Sequence, residues 1–292
     1  VRESNTRLKS VPMLLSPVSA QNFDSIYYRK SIITAFKEAG FQTAFFSNQR
    51  YNHSFIDFFG MEADTYDFIK EDSQDSQYNP SDDELLMLVE KELEKGNRKQ
   101  FIVLHTYGSH FNYRERYPET AAFFLPDFPV DAEVKYKDNL MNAYDNSIRY
   151  TDNFLARIIH LLKQQQVDAS MLYTSDHGED IFDDGRHLFL HASPVPSYYQ
   201  LHVPLLLWTS DSYREEYPGI EKAASMNRQK NISSSISFFQ TMMELAGIET
   251  PYRNDSLSVT SPLYTEKSRV YLNDHNEPHS LDDIGMRKED FE

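Results

Sequence analysis

Residues 169–179 read ASMLYTSDHGE, a short apolar segment that leads directly into a carboxylate and an imidazole side chain. The segment ASMLYT is typical of a buried strand, and Gly178 allows the chain to turn immediately after it. An aspartate oxygen and a histidine nitrogen that are adjacent at a strand end can both bind one zinc ion. We therefore predict that Asp176 and His177 are metal ligands, although such a pair by itself is also compatible with a hydrogen-bonded loop.

Apolar strands alternate with amphipathic helices on both sides of this stretch. The predicted strands are residues 41–47, 100–106, 169–174 and 203–209, and the predicted helices are residues 28–39, 80–96, 134–165 and 232–246. This alternation implies right-handed crossovers and a doubly wound α/β fold, with a mainly parallel sheet that carries helices on both faces. Ligands of such sheets bind beyond the carboxyl ends of the strands, so the reactive residues are expected there.

Histidines cluster after two of the predicted strands. His105 and His110 come at and after the end of the strand 100–106, and His177, His187 and His191 follow the strand 169–174, so five of the ten histidines fall at two strand ends. His110 and His191 are candidates to complete a second metal position or to hold a substrate phosphate. His105 is equally compatible with a core histidine bonded to the backbone, and His187 with a solvated loop.

The segment SNTRLKSVP, residues 4–12, supplies the candidate nucleophile. The hydroxyl of Thr6 is inert at its free pKa, but a nearby metal or base can activate it. At the start of a helix, this residue would also lie beside backbone N–H groups that can bind a phosphate. The alternative is that the Ser-Asn-Thr run only caps the helix.

Composition limits the classes of function. The 292 residues carry a formal net charge of −16, which argues against nucleic-acid binding. The absence of cysteine excludes a disulfide framework, thiolate zinc ligands and a cysteine nucleophile. No apolar run approaches the length of a membrane span, and the abrupt start at VRESNT leads us to expect a fragment without its native start.

Six stretches of this chain, in this order, resemble the phosphoethanolamine transferases that decorate lipid A in Gram-negative bacteria: SNTRLKSVPMLLS, AFKEAGFQTAFFSNQ, IVLHTYGSHFNY, NAYDNSIRYTDNFLARII, MLYTSDHGED and FLHASP. The motif SDHGE is shared across the alkaline phosphatase/sulfatase superfamily, whereas its combination with YDNSIRYTDNFL and LHASP is more specific. The resemblance implies an alkaline phosphatase/sulfatase-like α/β fold. It also implies a hydrophobic anchor in the inner membrane and a catalytic domain that faces the periplasm.

The activity that this resemblance implies is transfer of phosphoethanolamine from phosphatidylethanolamine to lipid A or another glycan acceptor, through a phosphothreonine intermediate and with one or two Zn²⁺ ions. Asp176 and His177 match the ligands of the principal zinc. His110 and His191 match histidines that contact the substrate phosphate or a second zinc, and Thr6 is the nearest match to the nucleophile.

The chain departs from the family pattern at two places. Relatives carry the nucleophilic threonine three residues before the serine of SVP, and Arg7 occupies that position here. Relatives also have a glutamate zinc ligand on an upstream strand, which we expect this chain to lack, and Glu3 lies too close to Thr6 to replace it. We therefore expect residues 1–292 to be a single catalytic domain truncated before its first strand and its anchor, with weak metal binding and no assured activity.

Three alternatives remain at this point. A sulfatase needs a formylglycine formed within a C/S-x-P-x-R pattern, and the segment SVPML ends in Leu14 where the arginine is required. A phosphoglycerol transferase of the lipoteichoic acid type would differ only in its donor and acceptor pockets. A degenerate domain without chemistry is favoured by Arg7, and it is opposed by the retention of four metal-competent side chains: His110, Asp176, His177 and His191.

Overall fold

The computed structural model describes residues 1–70, 79–96, 99–129, 131–284 and 286. Two compact units are distinguished within the chain. Unit 1 comprises residues 1–39, residues 166–180 and the described residues from 191 onwards, whereas unit 2 comprises the described residues of 40–165 and residues 181–190. The single domain over residues 1–292 stays a prediction.

The helices of the described residues are α1 (Arg7–Leu14), α2 (Ile32–Glu38), α3 (Phe55–Gly60), α4 (Glu84–Glu94), α5 (Lys137–Gln164), α6 (Tyr198–Leu201), α7 (Asp211–Glu216), α8 (Pro218–Asn227) and α9 (Ser234–Leu245). The strands are β1 (Gln42–Ser47), β2 (Thr65–Phe68), β3 (Gln100–His105), β4 (Ser170–Thr174), β5 (Asp180–Ile181), β6 (Phe189–Leu190), β7 (Leu205–Thr209), β8 (Val270–Leu272) and β9 (Pro278–Ser280). Among the described residues, no helix is both long enough and apolar enough to cross a bilayer.

Unit 2 is built on a parallel sheet with the strand order β2-β1-β3. The central strand β1 is almost entirely buried, including Ala44, Phe45 and Phe46. Its run of apolar residues reflects this position, since a parallel strand with neighbours on both sides is covered on both faces. Helix α4 packs against β1 and β3. The predicted parallel sheet is therefore confirmed in this unit.

Unit 1 contains the strand that precedes SDHGE. Strand β4 pairs with β7 in the antiparallel direction, from Ser170 opposite Thr209 to Thr174 opposite Leu205. Both strands were predicted, but this direction departs from the mainly parallel expectation. The only helix between them is the four-residue α6, rather than a long crossover helix of the kind that joins parallel strands. Helix α9 packs against β4 and α1.

Most predicted elements form within a few residues of their expected bounds, and helix α2 is the clearest shift. The apolar spacing predicted a helix from residue 28, whereas α2 begins at Ile32. The side chain of Ser31 accepts a hydrogen bond from the N–H of Thr34 and so caps the helix at that point. Residues 20–28 form 3₁₀ turns instead.

Candidate metal centre

Gly178 fixes the path of the loop that follows β4. Its N–H donates to the carbonyl oxygen of Gln200 over 2.9 Å. A Cβ atom at Gly178 would lie 2.0 Å from the carbonyl oxygen of Tyr199, a distance that no side chain tolerates. The loop can therefore run this close to α6 only with a glycine at residue 178.

Three side chains of this region bring their ligand atoms together. His177, Glu179 and His191 each offer one nitrogen or oxygen atom, and these atoms all lie within 4.8 Å of one another. The two imidazole rings are stacked, with centroids 3.8 Å apart. His177 and Glu179 are buried and His191 is half-buried. Two imidazoles and one carboxylate are a donor set that zinc commonly takes.

Hydrogen bonds orient both imidazoles for a ligand role. Nδ1 of His191 lies 3.0 Å from Oε1 of Glu179, and Nδ1 of His177 lies 3.0 Å from the carbonyl oxygen of Gly178. Both partners are acceptors, so each Nδ1 carries the proton and each Nε2 keeps its lone pair. Metal-bound histidines usually donate their second nitrogen to a carboxylate or a backbone carbonyl in this way.

The carboxylate of Glu179 has one oxygen that no group of the described residues satisfies. Its Oε1 bonds to His191, whereas its Oε2 is buried without a hydrogen-bond partner. A buried carboxylate oxygen is costly unless a proton donor or a cation compensates it. A cation bound by His177, Glu179 and His191 would compensate this oxygen, so the residues present fit such an ion.

Burial and the neighbouring charges act on the pKa of His191 in opposite directions. Burial alone would lower the pKa of His191, but its hydrogen bond to Glu179 and the negative charges of Glu179 and Asp176 raise that pKa above the ordinary value. The positive charge of Arg7 acts in the opposite direction. Arg7 is therefore close enough to His191 to influence the same site.

Asp176 lies beside the cluster and close to His177. Its Oδ2 is 3.6 Å from Nε2 of His177, and its Oδ1 accepts the N–H of His177 over 3.1 Å. The carboxylate and the ligand-competent nitrogen are therefore neighbours, as a shared ion requires. The assignment of Asp176, His177 and His191 as zinc ligands stays a prediction.

The segment before α1 is tied to both sides of the cluster. The buried guanidinium of Arg2 donates from Nε to the carbonyl oxygen of Ser175 over 2.6 Å and from Nη2 to Oγ1 of Thr174 over 3.1 Å. The amide of Asn5 donates to the carbonyl oxygen of Ser193 over 2.9 Å. Residues 2 and 5 are thus fixed next to the start of SDHGE and next to the segment that carries His191.

Thr6 is the most accessible hydroxyl of this segment. It is half-buried and occupies the N-cap position of α1, but its side chain makes no capping hydrogen bond. Ser4 and Ser10 are buried, and Oγ of Ser10 donates to the carbonyl oxygen of Ser4 over 2.9 Å. The Thr6 side chain therefore does not cap the helix, which was the alternative to a nucleophile. Glu3 is also buried; burial raises its pKa to about 7, and its Oε2 accepts the N–H of Ala20.

The histidines after β3 belong to unit 2. His110 is exposed, and its Nδ1 lies 2.5 Å from the carbonyl oxygen of Phe111. The buried carboxylate of Asp82 holds the preceding loop by accepting the N–H groups of Tyr107 and Gly108, each over 3.0 Å. The role of His110 in the site stays a prediction. Nδ1 of His105 lies 3.0 Å from Oγ of Ser47, which is one partner of this half-buried ring.

Sequence reasoning missed two buried acids of this region. Glu179 was not predicted as a ligand. The available signal was its position two residues after His177, in the same loop. Asp180 follows it and is fully buried, where it accepts hydrogen bonds from Ser197 over 2.7 Å and from Gln200. Gln200 in turn accepts the amide of Asn5 over 2.6 Å. Asp180 therefore links the loop to the Thr6 segment.

Comparisons with known proteins place these features in a family context. The family described as Sulfatase matches residues 8–248. Phosphoethanolamine transferase EptA of Escherichia coli K12 is 36% identical over 157 residues, which are 52% of this chain and 28% of that protein. The putative transferase YhbX of the same strain is 29% identical over 285 residues, which are 96% of this chain and 47% of that protein. The chain thus spans less than half the length of these relatives.

Solved structures show the same fold. The C-terminal periplasmic domain of EcEptC from Escherichia coli, solved as a complex with Zn, matches with a TM-score of 0.86 at 23% identity, over 97% of this chain and 80% of that chain. The soluble domain of lipooligosaccharide phosphoethanolamine transferase A from Neisseria meningitidis matches with a TM-score of 0.78 at 21% identity, over 87% of this chain and 78% of that one. The predicted alkaline phosphatase/sulfatase-like fold is confirmed.

Proposed function

This chain belongs to the sulfatase family, and within that family we propose that it transfers phosphoethanolamine from phosphatidylethanolamine to lipid A or another glycan acceptor. The predicted resemblance to lipid A phosphoethanolamine transferases is confirmed by relatives that carry this name. We further propose that the domain faces the periplasm and works at the inner membrane. Its likeness to the periplasmic domain of EcEptC and to the integral membrane EptA of Neisseria meningitidis supports this location.

The observation that carries this proposal is the cluster of His177, Glu179 and His191 next to the tethered Thr6 segment. The ligand atoms of the cluster lie within 4.8 Å of one another, and one buried oxygen of Glu179 has no protein partner. The segment that precedes α1 is fixed to the same loops by Arg2 and Asn5. Covalent phosphoryl transfer needs a metal-competent cluster and a hydroxyl held near it, and the tethering of the Thr6 segment to the loops of the cluster supports this arrangement.

The residues take distinct roles in the proposed reaction. Zn²⁺ would be held by His177, His191 and a carboxylate of Asp176 or Glu179, and when bound it would lower the pKa of a neighbouring hydroxyl and offset phosphate charge. The oxygen of Thr6 forms a bond to phosphorus as the bond to the diacylglycerol oxygen breaks, and the Thr6 proton ends on diacylglycerol. The acceptor hydroxyl then displaces Thr6, which recovers a proton.

Two features of the α1 segment would bind the phosphate. The first turn of α1 presents N–H groups beside Thr6, and the positive end of a helix favours an anion. Arg7, whose charge already reaches His191, would contribute a fixed positive charge that a phosphate oxygen can approach. A role of His110 in holding phosphate stays a prediction from the family resemblance.

The second candidate is a domain that keeps the fold without the chemistry. Arg7 favours it, because the resemblance puts a nucleophilic threonine at that position. The two candidates differ in one observable, which is whether a covalent phosphoethanolamine adduct forms on this chain.

Thr6→Ala is the variant that tests the transfer reaction. Removal of the nucleophile should lower turnover of fluorescent phosphatidylethanolamine to diacylglycerol by at least about 10³-fold. The peptide that covers residues 3–9 should carry the adduct in the parent chain and lose it in Thr6→Ala, as read by mass spectrometry.

Thr6→Ser is the matched control, because it keeps a hydroxyl at the same position and should retain both the adduct and measurable turnover. An adduct that maps to another residue would reject the assignment of Thr6. Absence of any adduct together with absence of turnover would favour the domain without chemistry.

A further inference from the structure

We propose that residues 123–128 of unit 2 form a rigid membrane-contacting loop that seats this domain on the surface of a phospholipid bilayer. The inference rests on the proposed function in one respect, since a lipid donor and a lipid-linked acceptor require the domain to work at such a surface. The loop, here called the display loop, reads FFLPDF. The physical argument for it comes from unit 2 alone.

The display loop exposes three large apolar side chains. Phe123, Leu125 and Phe128 are 65%, 67% and 65% exposed. Apolar side chains of this size that cluster on one short loop are a costly surface in water unless they meet another apolar phase. These side chains stay exposed because hydrogen bonds from helix α5 fix the backbone of the loop.

Three asparagines of α5 hold the backbone of the display loop. Asn139, Asn142 and Asn146 follow one another at spacings of three and four residues, which places them on one face of the helix. Asn139 donates to the carbonyl oxygen of Phe128 over 3.2 Å, and Asn142 donates to that of Pro126 over 2.9 Å.

Asn146 makes three further hydrogen bonds to the backbone of the loop. Its Oδ1 accepts the N–H groups of Phe123 and Phe124, each over 2.9 Å, and its Nδ2 donates to the carbonyl oxygen of Phe124 over 3.0 Å. Asn146 is itself only 1% exposed. Two N–H groups and three carbonyl groups of the loop backbone are therefore already paired with asparagine side chains, which lowers the penalty for moving this backbone out of water.

The one carboxylate of the display loop is neutralised inside the protein. Asp127 is 4% exposed, accepts the hydroxyl of Tyr117 over 2.7 Å and forms an ion pair with Nε of Arg114 over 3.3 Å. The loop therefore turns its acid inward and its apolar side chains outward. An ordinary solvated turn does the opposite, since it exposes its polar side chains and buries its apolar ones.

The charges that touch the exposed rings are both positive. The guanidinium of Arg149 lies 4.3 Å from the ring centroid of Phe123, and that of Arg114 lies 4.6 Å from the ring centroid of Phe128. Arg114 is already paired with Asp127, so the exposed Arg149 is the charge that can meet lipid phosphates. Aromatic rings flanked by arginine are suited to the headgroup region, where rings meet acyl chains and guanidinium groups meet phosphates.

The test is binding of the chain to vesicles of phosphatidylethanolamine and phosphatidylglycerol, read by flotation without any turnover. The variant Phe123→Ser/Leu125→Ser/Phe128→Ser should lower the bound fraction roughly tenfold, because it removes the apolar contact. Arg149→Gln should weaken binding about fivefold on these vesicles and should have little effect on vesicles of phosphatidylcholine alone.

The matched control is Phe58→Ser/Tyr66→Ser/Met87→Ser, which replaces three side chains of the same unit with exposures of 57%, 51% and 57%. This control should bind like the parent chain. Equal loss of binding in both triple variants, or no binding by the parent chain, would overturn the proposal. So would a dimer in sedimentation velocity that the display-loop variant alone abolishes, since the loop would then contact a second copy.

Failure of this proposal can be separated from failure of the transfer reaction. A short-chain phosphatidylethanolamine below its micellar concentration tests turnover without a bilayer, and the display-loop variant should turn it over at the parent rate. Loss of vesicle binding with intact turnover of this donor is the expected pattern. No turnover of this donor by the parent chain would count against the transfer reaction and would leave the vesicle result unchanged.

Discussion

At the scale of single residues, Glu179 combines two roles in the cluster. Its Oε1 lies 3.0 Å from Nδ1 of His191, and its Oε2 is buried without a protein partner. One carboxylate thus sets the orientation of an imidazole and also leaves an oxygen for a cation. A neutral amide of the same shape would keep the first role and lose the charge needed for the second.

Glu179→Gln should therefore weaken zinc binding by about 10- to 100-fold, which is the usual cost of losing a carboxylate that is bound to a metal or supports its histidine. A competition titration against a chromogenic chelator measures this affinity. Asp184→Asn is the control, because Asp184 pairs with Arg186 in the neighbouring turn and lies outside the cluster. Unchanged zinc affinity in Glu179→Gln would show that the carboxylate has no part in the site.

Individual ligands were predictable only where the sequence places them side by side. Asp176 and His177 could be singled out because they are adjacent at a predicted strand end. The pairing of Glu179 with His191 could not, since the two residues are separated by 12 positions and their contact depends on how the intervening chain returns. Buried Asp82 was missed for the same reason, because its partners Tyr107 and Gly108 follow a different strand.

At the scale of elements, the contact between the SDHGE loop and α6 positions the cluster. The N–H of Gly178 donates to the carbonyl oxygen of Gln200, and a Cβ atom on Gly178 would lie 2.0 Å from the carbonyl oxygen of Tyr199. The obstacle is backbone rather than the end of a flexible side chain. The loop must shift away from α6 if residue 178 gains a side chain.

Gly178→Ala should lower the free energy of unfolding by about 3 kcal/mol and should also weaken zinc binding, because the loop carries His177 and Glu179. Thermal unfolding with and without zinc measures both effects. Gly185→Ala is the control, since a Cβ atom there meets nothing within 4 Å. If both variants unfolded at the temperature of the parent chain, the close approach of loop and helix would be contradicted.

Long apolar elements were predictable, and short ones were not. The runs that became β1, β3, β4 and β7 are five or six residues long and contain three or four consecutive apolar residues, which is enough to indicate a strand. Strands β5 and β6 have two residues each, too few for any periodicity. The antiparallel pairing of β4 with β7 was also not predictable, because strand direction depends on the connection and not on the strand itself.

At the scale of the whole molecule, unit 1 joins distant parts of the sequence through buried polar groups. Tyr271 donates its hydroxyl to Oδ1 of Asn5 over 2.9 Å, and Asn5 donates to Gln200 over 2.6 Å. Gln200 donates to Asp180, which follows Glu179 directly. This network fixes the segment that carries Thr6 relative to the loop that carries the cluster, which is the arrangement that the proposed reaction requires.

The central claim is that this unit forms a zinc site from His177, His191 and a carboxylate of the SDHGE loop. Anomalous diffraction at the zinc edge, from crystals of the chain grown with zinc, tests it most directly. We predict a peak about 2.0–2.2 Å from Nε2 of His177, Nε2 of His191 and an oxygen of Asp176 or Glu179. No peak at this position, or a peak elsewhere that leaves both imidazoles without a metal, would contradict the claim.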